Sequence, residues 1–180
     1  MKHERRRFHG KMTTSGLPLP RLRTIRLLTA GVIVGLVLSG LTAFPLRWEL
    51  DVLSHFMVGQ GSLDPGDHHG LAHWILKVRE GLTKTYEAYP FMAYGTDWLA
   101  FGHLVIAMFF IPVFIDPFRY RANVWVGLVA SVAVFPLAFV CGPIRGIPFY
   151  WQLIDCSFGV GSGALLVVIL RLTARHLIDY

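Results

Sequence analysis

Residues 146–170 read GIPFYWQLIDCSFGVGSGALLVVIL, an apolar run of 25 residues with a single charge, Asp155. A helix of roughly 20 apolar residues covers the hydrocarbon core of a bilayer, so this run predicts a membrane span. Gln152, Asp155, Cys156 and Gly159 follow i, i+3, i+4, i+7 spacing and share one helical face. A carboxylate in a span is costly and normally faces the bundle interior or a water-filled cavity, with a partner at hand. The polar face around Asp155 is therefore expected to point inward.

Three more runs have the same character. Residues 27–46 hold 20 positions without charge, residues 98–115 hold 18 with His103 alone ionisable, and residues 122–144 hold 23. The expected spans are about 27–46, 97–116, 122–144 and 148–170. Charged residues make up 16% of the chain and hydrophobic ones 54%, with a mean hydropathy of +0.52. Soluble domains carry roughly 25% charge, so a water-soluble core is excluded. The fold class expected is all-α: an integral membrane four-helix bundle, formed by a single membrane domain over 27–175.

Lysine and arginine set the orientation. Twelve fall before span one, between spans two and three, or after span four, and five fall on the other side. The positive-inside rule then puts both termini in the cytoplasm. Residues 1–26 read as a basic cytoplasmic tail whose charge holds topology and meets anionic lipid, with no nucleic-acid partner expected. Arg5-Arg6-Arg7-Phe8 resembles a twin-arginine signal, but the following apolar run is 20 residues long. That exceeds a signal-peptide core of about 7–15, so a retained first span is expected. Gly31, Gly35 and Ser39 in span one, and Gly159 and Gly163 in span four, have the four-residue spacing that lets helices approach closely in lipid. Pro112 and Pro136 are expected to kink spans two and three.

The outer loop, 47–96, is not featureless. A short helix is expected around residues 48–57. Pro65-Gly66-Asp67 reads as a turn with Asp67 as a helix N-cap. After it, Leu71, Trp74, Ile75, Val78, Leu82 and Tyr86 fall at helical spacing opposite Lys77, Glu80, Lys84 and Glu87. This predicts an amphipathic helix over about 68–88, lying on the membrane or capping the bundle as an outer-face lid.

Counting residues places His103 about seven positions into span two and Asp155 about seven to nine into span four, both from the outer side. Both come to roughly 10 Å below the outer surface at 1.5 Å per residue. His103 and Asp155 are thus expected to pair, with Arg145 reaching down to Asp155 or across to Asp97. His103, Asp155, Arg145, Gln152, Asp97 and Cys156 form the candidate ligand-binding or structural polar network. His69 and His73, four apart near Asp67 and His68, are a weaker candidate metal site, since no HExxH or CxxC pattern accompanies them. A b-type haem would need a second axial ligand beside His103, from His55 or the lid. Gly161-Ser162-Gly163 resembles the string of intramembrane serine proteases, but Val160 replaces a required glycine and no histidine lies at matching depth. Cys141 and Cys156 differ in depth too far for a direct bridge, so two free thiols are expected.

The strings SGLTAFPLRWEL (39–50), YGTDWLAFGH (94–103) and GPIRGIPFYWQLIDCSFG (142–159) resemble a family of small four-span bacterial inner-membrane proteins. The resemblance implies the architecture and no activity, cofactor or site. The function expected from the residues is a polar pocket in the outer half of the bundle, binding a small ligand or a partner membrane complex. The alternatives are a membrane redox protein or b-type haem carrier, and a purely structural accessory subunit of a larger membrane complex.

Overall fold

The computed structural model describes residues 19–178. Every regular element among them is helical: α1 (Leu19–Ala43), α2 (Leu46–Val58), α3 (Gly70–Ala88), α4 (Ala93–Ile115), α5 (Arg121–Pro136), a π-helical turn (Leu137–Cys141), the single turn α6 (Gly142–Ile144) and α7 (Phe149–Ile178). Four stretches are long and apolar enough to cross a membrane: Arg21–Ala43, Pro90–Ile115, Arg121–Ile144 and Phe149–Ala174. The fold is therefore the expected all-α bundle of four apolar helices, with α2 and α3 as the additional pair in the long loop.

The first helix departs from the sequence reading. The expected basic tail covers 1–26; residues 1–18 lie outside the described residues, and α1 is already helical from Leu19. Leu22, Ile25, Thr29 and Val32 are buried at i, i+3, i+7, i+10 spacing, so an inward face runs straight through the arginines. Arg26 is part of the bundle. Its Nε donates to the Phe114 carbonyl at 3.1 Å and its Nη2 to the Ile115 carbonyl at 3.3 Å. Those carbonyls close the last turn of α4, which has no further turn to bond them, and a cation suits that end of the helix dipole.

The tightest packing is in hairpin pairs, α1 with α4 and α5 with α7; α1 also meets α7. The main apolar core joins Ile25, Val32, Phe110, Val113, Val124, Leu166, Ile169 and Leu170. These residues lie toward the end of the bundle away from the long loop. Toward the loop, small residues replace bulky ones. A Cβ at Gly40 would lie 2.9 Å from the Ala100 carbonyl oxygen, and one at Gly159 would lie 2.6 Å from that of Ser131. Gly159 and Gly163 thus pack as expected, with Ser131 and Ser162 sharing a hydroxyl hydrogen bond of 2.9 Å beside them. Gly31 and Gly35 do not pack: both are exposed, with open space where a Cβ would stand. In α1 the close approach is made by Gly40 instead.

Pro136 ends α5, and the chain continues through the π-helical turn rather than a simple kink. A proline lacks the N–H that would continue the ladder, and a wider turn absorbs the gap. Gly146, at φ +67, reverses the chain ahead of α7, and the Ile147 amide bonds back to the Gly142 carbonyl at 2.9 Å.

The lid is two helices, pinned to each other and to the bundle. Arg79 pairs with Asp51 at 2.5 Å and Arg47 with Glu87 at 3.2 Å, tying α3 to α2. Tyr86 and Thr96 share a hydroxyl hydrogen bond of 3.2 Å that ties α3 to α4. Tyr150 donates to the Gly70 carbonyl at 3.0 Å, and the Trp74 and Trp151 rings meet at 6.5 Å, tying α3 to α7. The expected apolar face of α3 holds, with Ile75 buried and Trp74, Val78, Leu82 and Tyr86 half-buried; Leu71 is exposed and Leu76 is buried instead. Asp67 does not cap this helix. It belongs to a 3-10 turn over Pro65–Asp67 whose own cap is Asp64, accepting from the Gly66 amide at 2.7 Å. On the outer face of α3, Lys84 pairs with Glu80 one turn back. The hydrogen bond and charge of Glu80 raise the Lys84 ammonium above its ordinary range. A raised ammonium contributes at neutral pH and loses its contribution only as pH climbs through that raised value; fully exposed, it contributes little.

Candidate functional site

The polar face of α7 forms as the spacing requires, but its partners differ from those expected. Gln152 is buried and lies across Gly142, where a Cβ would come within 2.7 Å of its amide carbon. Its Nε2 donates to the Ile147 carbonyl at 2.8 Å. Gln152 thus fastens the start of α7 to the turn before it. Cys156 is buried and Cys141 exposed, and both are free thiols.

Asp155 is half-buried on this face, with no hydrogen bond or ion pair to any described residue. The expected pairing with His103 is not made. His103 sits on α4 in the other hairpin, and α4 and α7 share no substantial interface. A ring N–H must donate where a carbonyl accepts, and His103 Nδ1 lies 2.8 Å from its own helix's Leu99 carbonyl. Its Cβ packs toward Gly40 of α1. Counting residues from the end of a span sets height along a helix and not position around the bundle, so it does not select which helix faces which. The Arg145 side chain is exposed in the turn after α6 and reaches neither Asp155 nor Asp97.

Three histidines of the lid, His55, His68 and His73, are similarly committed to the backbone. His69 does not share a helical face with His73, because the helix begins only at Gly70 and His69 is extended, at φ −127 and ψ 162. His73 Nδ1 donates to the Pro65 carbonyl and His68 Nε2 to the Ser62 carbonyl, both at 2.7 Å, closing the loop before α3. His55 Nδ1 donates to the Asp51 carbonyl at 2.7 Å. Among the described residues no group of three or more His, Cys, Asp or Glu is gathered as a metal would need.

A concave surface lies elsewhere, at the seam of the lid and the first hairpin. A cleft of about 550 Å³ opens between the α1–α2 elbow, the end of α3 and the start of α4. Phe44, Pro45 and Trp48 form one wall, Ala93, Thr96 and Asp97 the other, and Arg47, Asp51 and Tyr86 bridge them. Of the candidate residues named from sequence, only Asp97 is here. The cleft follows from the lid's ion pairs: α2 and α3 are held at fixed separation by Arg47–Glu87 and Asp51–Arg79, and Tyr86 holds α3 against α4. A signal for it lies in the sequence. Arg47 then Asp51, against Arg79 then Glu87, is the charge order that two antiparallel helices need in order to pair.

Comparison with protein-family models, with curated proteins and with solved structures gives no match. The site is therefore read from its own chemistry.

Proposed function

We propose that this chain is a bacterial inner-membrane protein, with both termini in the cytoplasm, that receives a small ligand in the cleft on its outer face. The observation that carries the reading is the cleft itself, a concavity built from two stretches, 44–51 and 86–97, that are separated in sequence and brought together by the fold. It combines aromatic walls with a few charged groups, the composition of small-molecule sites in general. The polar-pocket expectation is kept and moved: the pocket lies under the lid at Asp97, not within the bundle at Asp155. The resemblance to small four-span bacterial proteins supports the compartment, and the basic residues on the loop-free side support the orientation.

A cleft-filling variant tests the first part. Small polar molecules screened against the purified full chain in detergent should include some that raise its melting temperature, as any ligand binding only the folded state does. In Ala93→Trp those shifts should vanish while the unliganded melting temperature stays close to that of the parent. Shifts that persist in Ala93→Trp place the ligand elsewhere and end this reading.

Labelling tests the second part. With Cys141 and Cys156 replaced by serine and alanine respectively, Gln60→Cys in the lid loop should react with a membrane-impermeant maleimide on intact spheroplasts. Arg119→Cys, in the short turn before α5, should react only after lysis. The reverse pattern would invert the topology.

A second reading, a subunit of a larger membrane complex, is favoured by one observation. Asp155 is a carboxylate within a span to which no described residue supplies a cation, and a basic residue on a partner's helix would meet that need.

A further inference from the structure

The charges lining the cleft are not equivalent, and their differences narrow the ligand class. Arg47 is engaged by Glu87 at 3.2 Å and Asp51 by Arg79 at 2.5 Å. Asp97, half-buried in the opposite wall, has no hydrogen bond or ion pair to any described residue. The lining with its engaged partners therefore carries one uncompensated negative charge, at Asp97. Beside it stand three aromatic residues, Phe44, Trp48 and Tyr86. A carboxylate attracts a cation, and aromatic faces attract the same cation while tolerating its alkyl substituents. An anion would find each neighbouring guanidinium already balanced by a carboxylate and Asp97 repelling it. A neutral sugar-like ligand would leave Asp97 without a countercharge. The size also matters: about 550 Å³ is far more room than a bare metal ion fills, and within the usual range for small organic ligands.

Resting on the cleft reading above, we infer that this site takes an organic ammonium group, with Asp97 as its counter-ion and Trp48, Phe44 and Tyr86 around its carbon substituents. Two sources share that chemistry: a soluble amine or quaternary ammonium compound, and the ammonium of a phospholipid headgroup at the outer membrane surface.

The test uses the full chain in detergent and follows the fluorescence of the five tryptophans, of which Trp48 lines the site. The probes are choline and its uncharged isostere 3,3-dimethylbutan-1-ol. Choline should give a saturable change, and the isostere should bind at least about tenfold more weakly, the discrimination expected of one charged contact. Asp97→Asn should remove most of that discrimination, bringing choline down to the isostere. Trp48→Leu should weaken choline severalfold, with saturation read by calorimetry instead of fluorescence. If choline and the isostere bind alike to the parent chain, and Ala93→Trp blocks both, the cleft reading stands and the ammonium inference is overturned. If neither binds, and no other molecule shows a shift that Ala93→Trp removes, both fall. Discrimination that survives in Asp97→Asn also overturns the inference, by assigning the charge recognition to another group. The sources separate in nanodiscs: phosphatidylethanolamine discs should compete with choline if the headgroup is the occupant, whereas phosphatidylglycerol and phosphatidylethanolamine discs should leave choline binding equal if it is soluble.

Discussion

Gly159→Val is expected to destabilise the bundle by about 3 kcal/mol, the upper end of what overpacking costs, while Gly161→Val, two positions along α7, changes stability by less than about 0.5 kcal/mol. The contrast follows from what each new side chain would meet. At Gly159 a Cβ would lie 2.6 Å from the Ser131 carbonyl oxygen and 3.3 Å from Val134 Cβ. The first of these is backbone, which cannot rotate away, so α5 and α7 must separate. Separation also breaks the Ser131–Ser162 hydrogen bond of 2.9 Å and loosens Gly163 from Leu128. The second hairpin of the bundle depends on that contact, because in lipid there is no hydrophobic drive between helices and close packing supplies the attraction. At Gly161 nothing lies within 4 Å of the new atom. Reversible unfolding of the two variants by denaturing detergent against the parent chain is the measurement. Equal loss from both would mean that backbone flexibility and not helix contact sets the cost, and that α5 and α7 do not meet as described.

The architecture was legible because it rests on the most robust sequence signal, long uncharged runs whose length matches a bilayer. The lid was legible for a similar reason: Trp74, Ile75, Val78, Leu82 and Tyr86 repeat at helical period between turn residues. What was misread depends on quantities that a run of letters does not carry. The tail bound at residue 26 is too long, because Leu22, Ile25, Thr29 and Val32 continue one inward stripe past Arg26 and mark a helix that starts earlier. Depth counting pairs His103 with Asp155, but α4 packs on α1 and α7 on α5, so the two side chains belong to different helix pairs. Gly31 and Gly35 have the spacing of a packing motif and face open space, because spacing identifies a possible contact surface without naming an occupant. The cleft was missed for the opposite reason. Its walls come from the ends of α1 and α3 and the starts of α2 and α4, positions that separate inspection of the spans leaves apart. Only the paired charge order of α2 and α3 announced them.

Asp155→Leu is expected to raise the stability of the isolated chain by about 1–2 kcal/mol. A carboxylate at the centre of a membrane helix costs about 2.5–3.5 kcal/mol by insertion measurements. Asp155 lies six residues after the start of α7 at Phe149, roughly 9 Å along the helix, so the cost here should be somewhat lower. In a well-satisfied site this cost would be offset by a cation or by donors, and removing the carboxylate would then destabilise by orphaning them. No described residue plays that part: His103 is on the other hairpin, Arg145 is exposed, and Gln152 gives its amide N–H to Ile147. Leucine has nearly the branched shape of aspartate, with methyl groups in place of the two carboxylate oxygens, and leaves nothing unpaired. Asp155→Asn, still polar, should gain less. Loss of stability in Asp155→Leu would instead reveal a countercharge, and the polar network expected from sequence would regain its place. A gain carries a further consequence. Residues that lower the stability of their own fold are typical of sites with another role. If Asp155 pairs with a basic residue on a partner's helix, Asp155→Leu should fold better alone and fail to co-purify with that partner in mild detergent. The same substitution should leave choline binding at Asp97 unchanged, because the cleft and the α7 face share no lining residue.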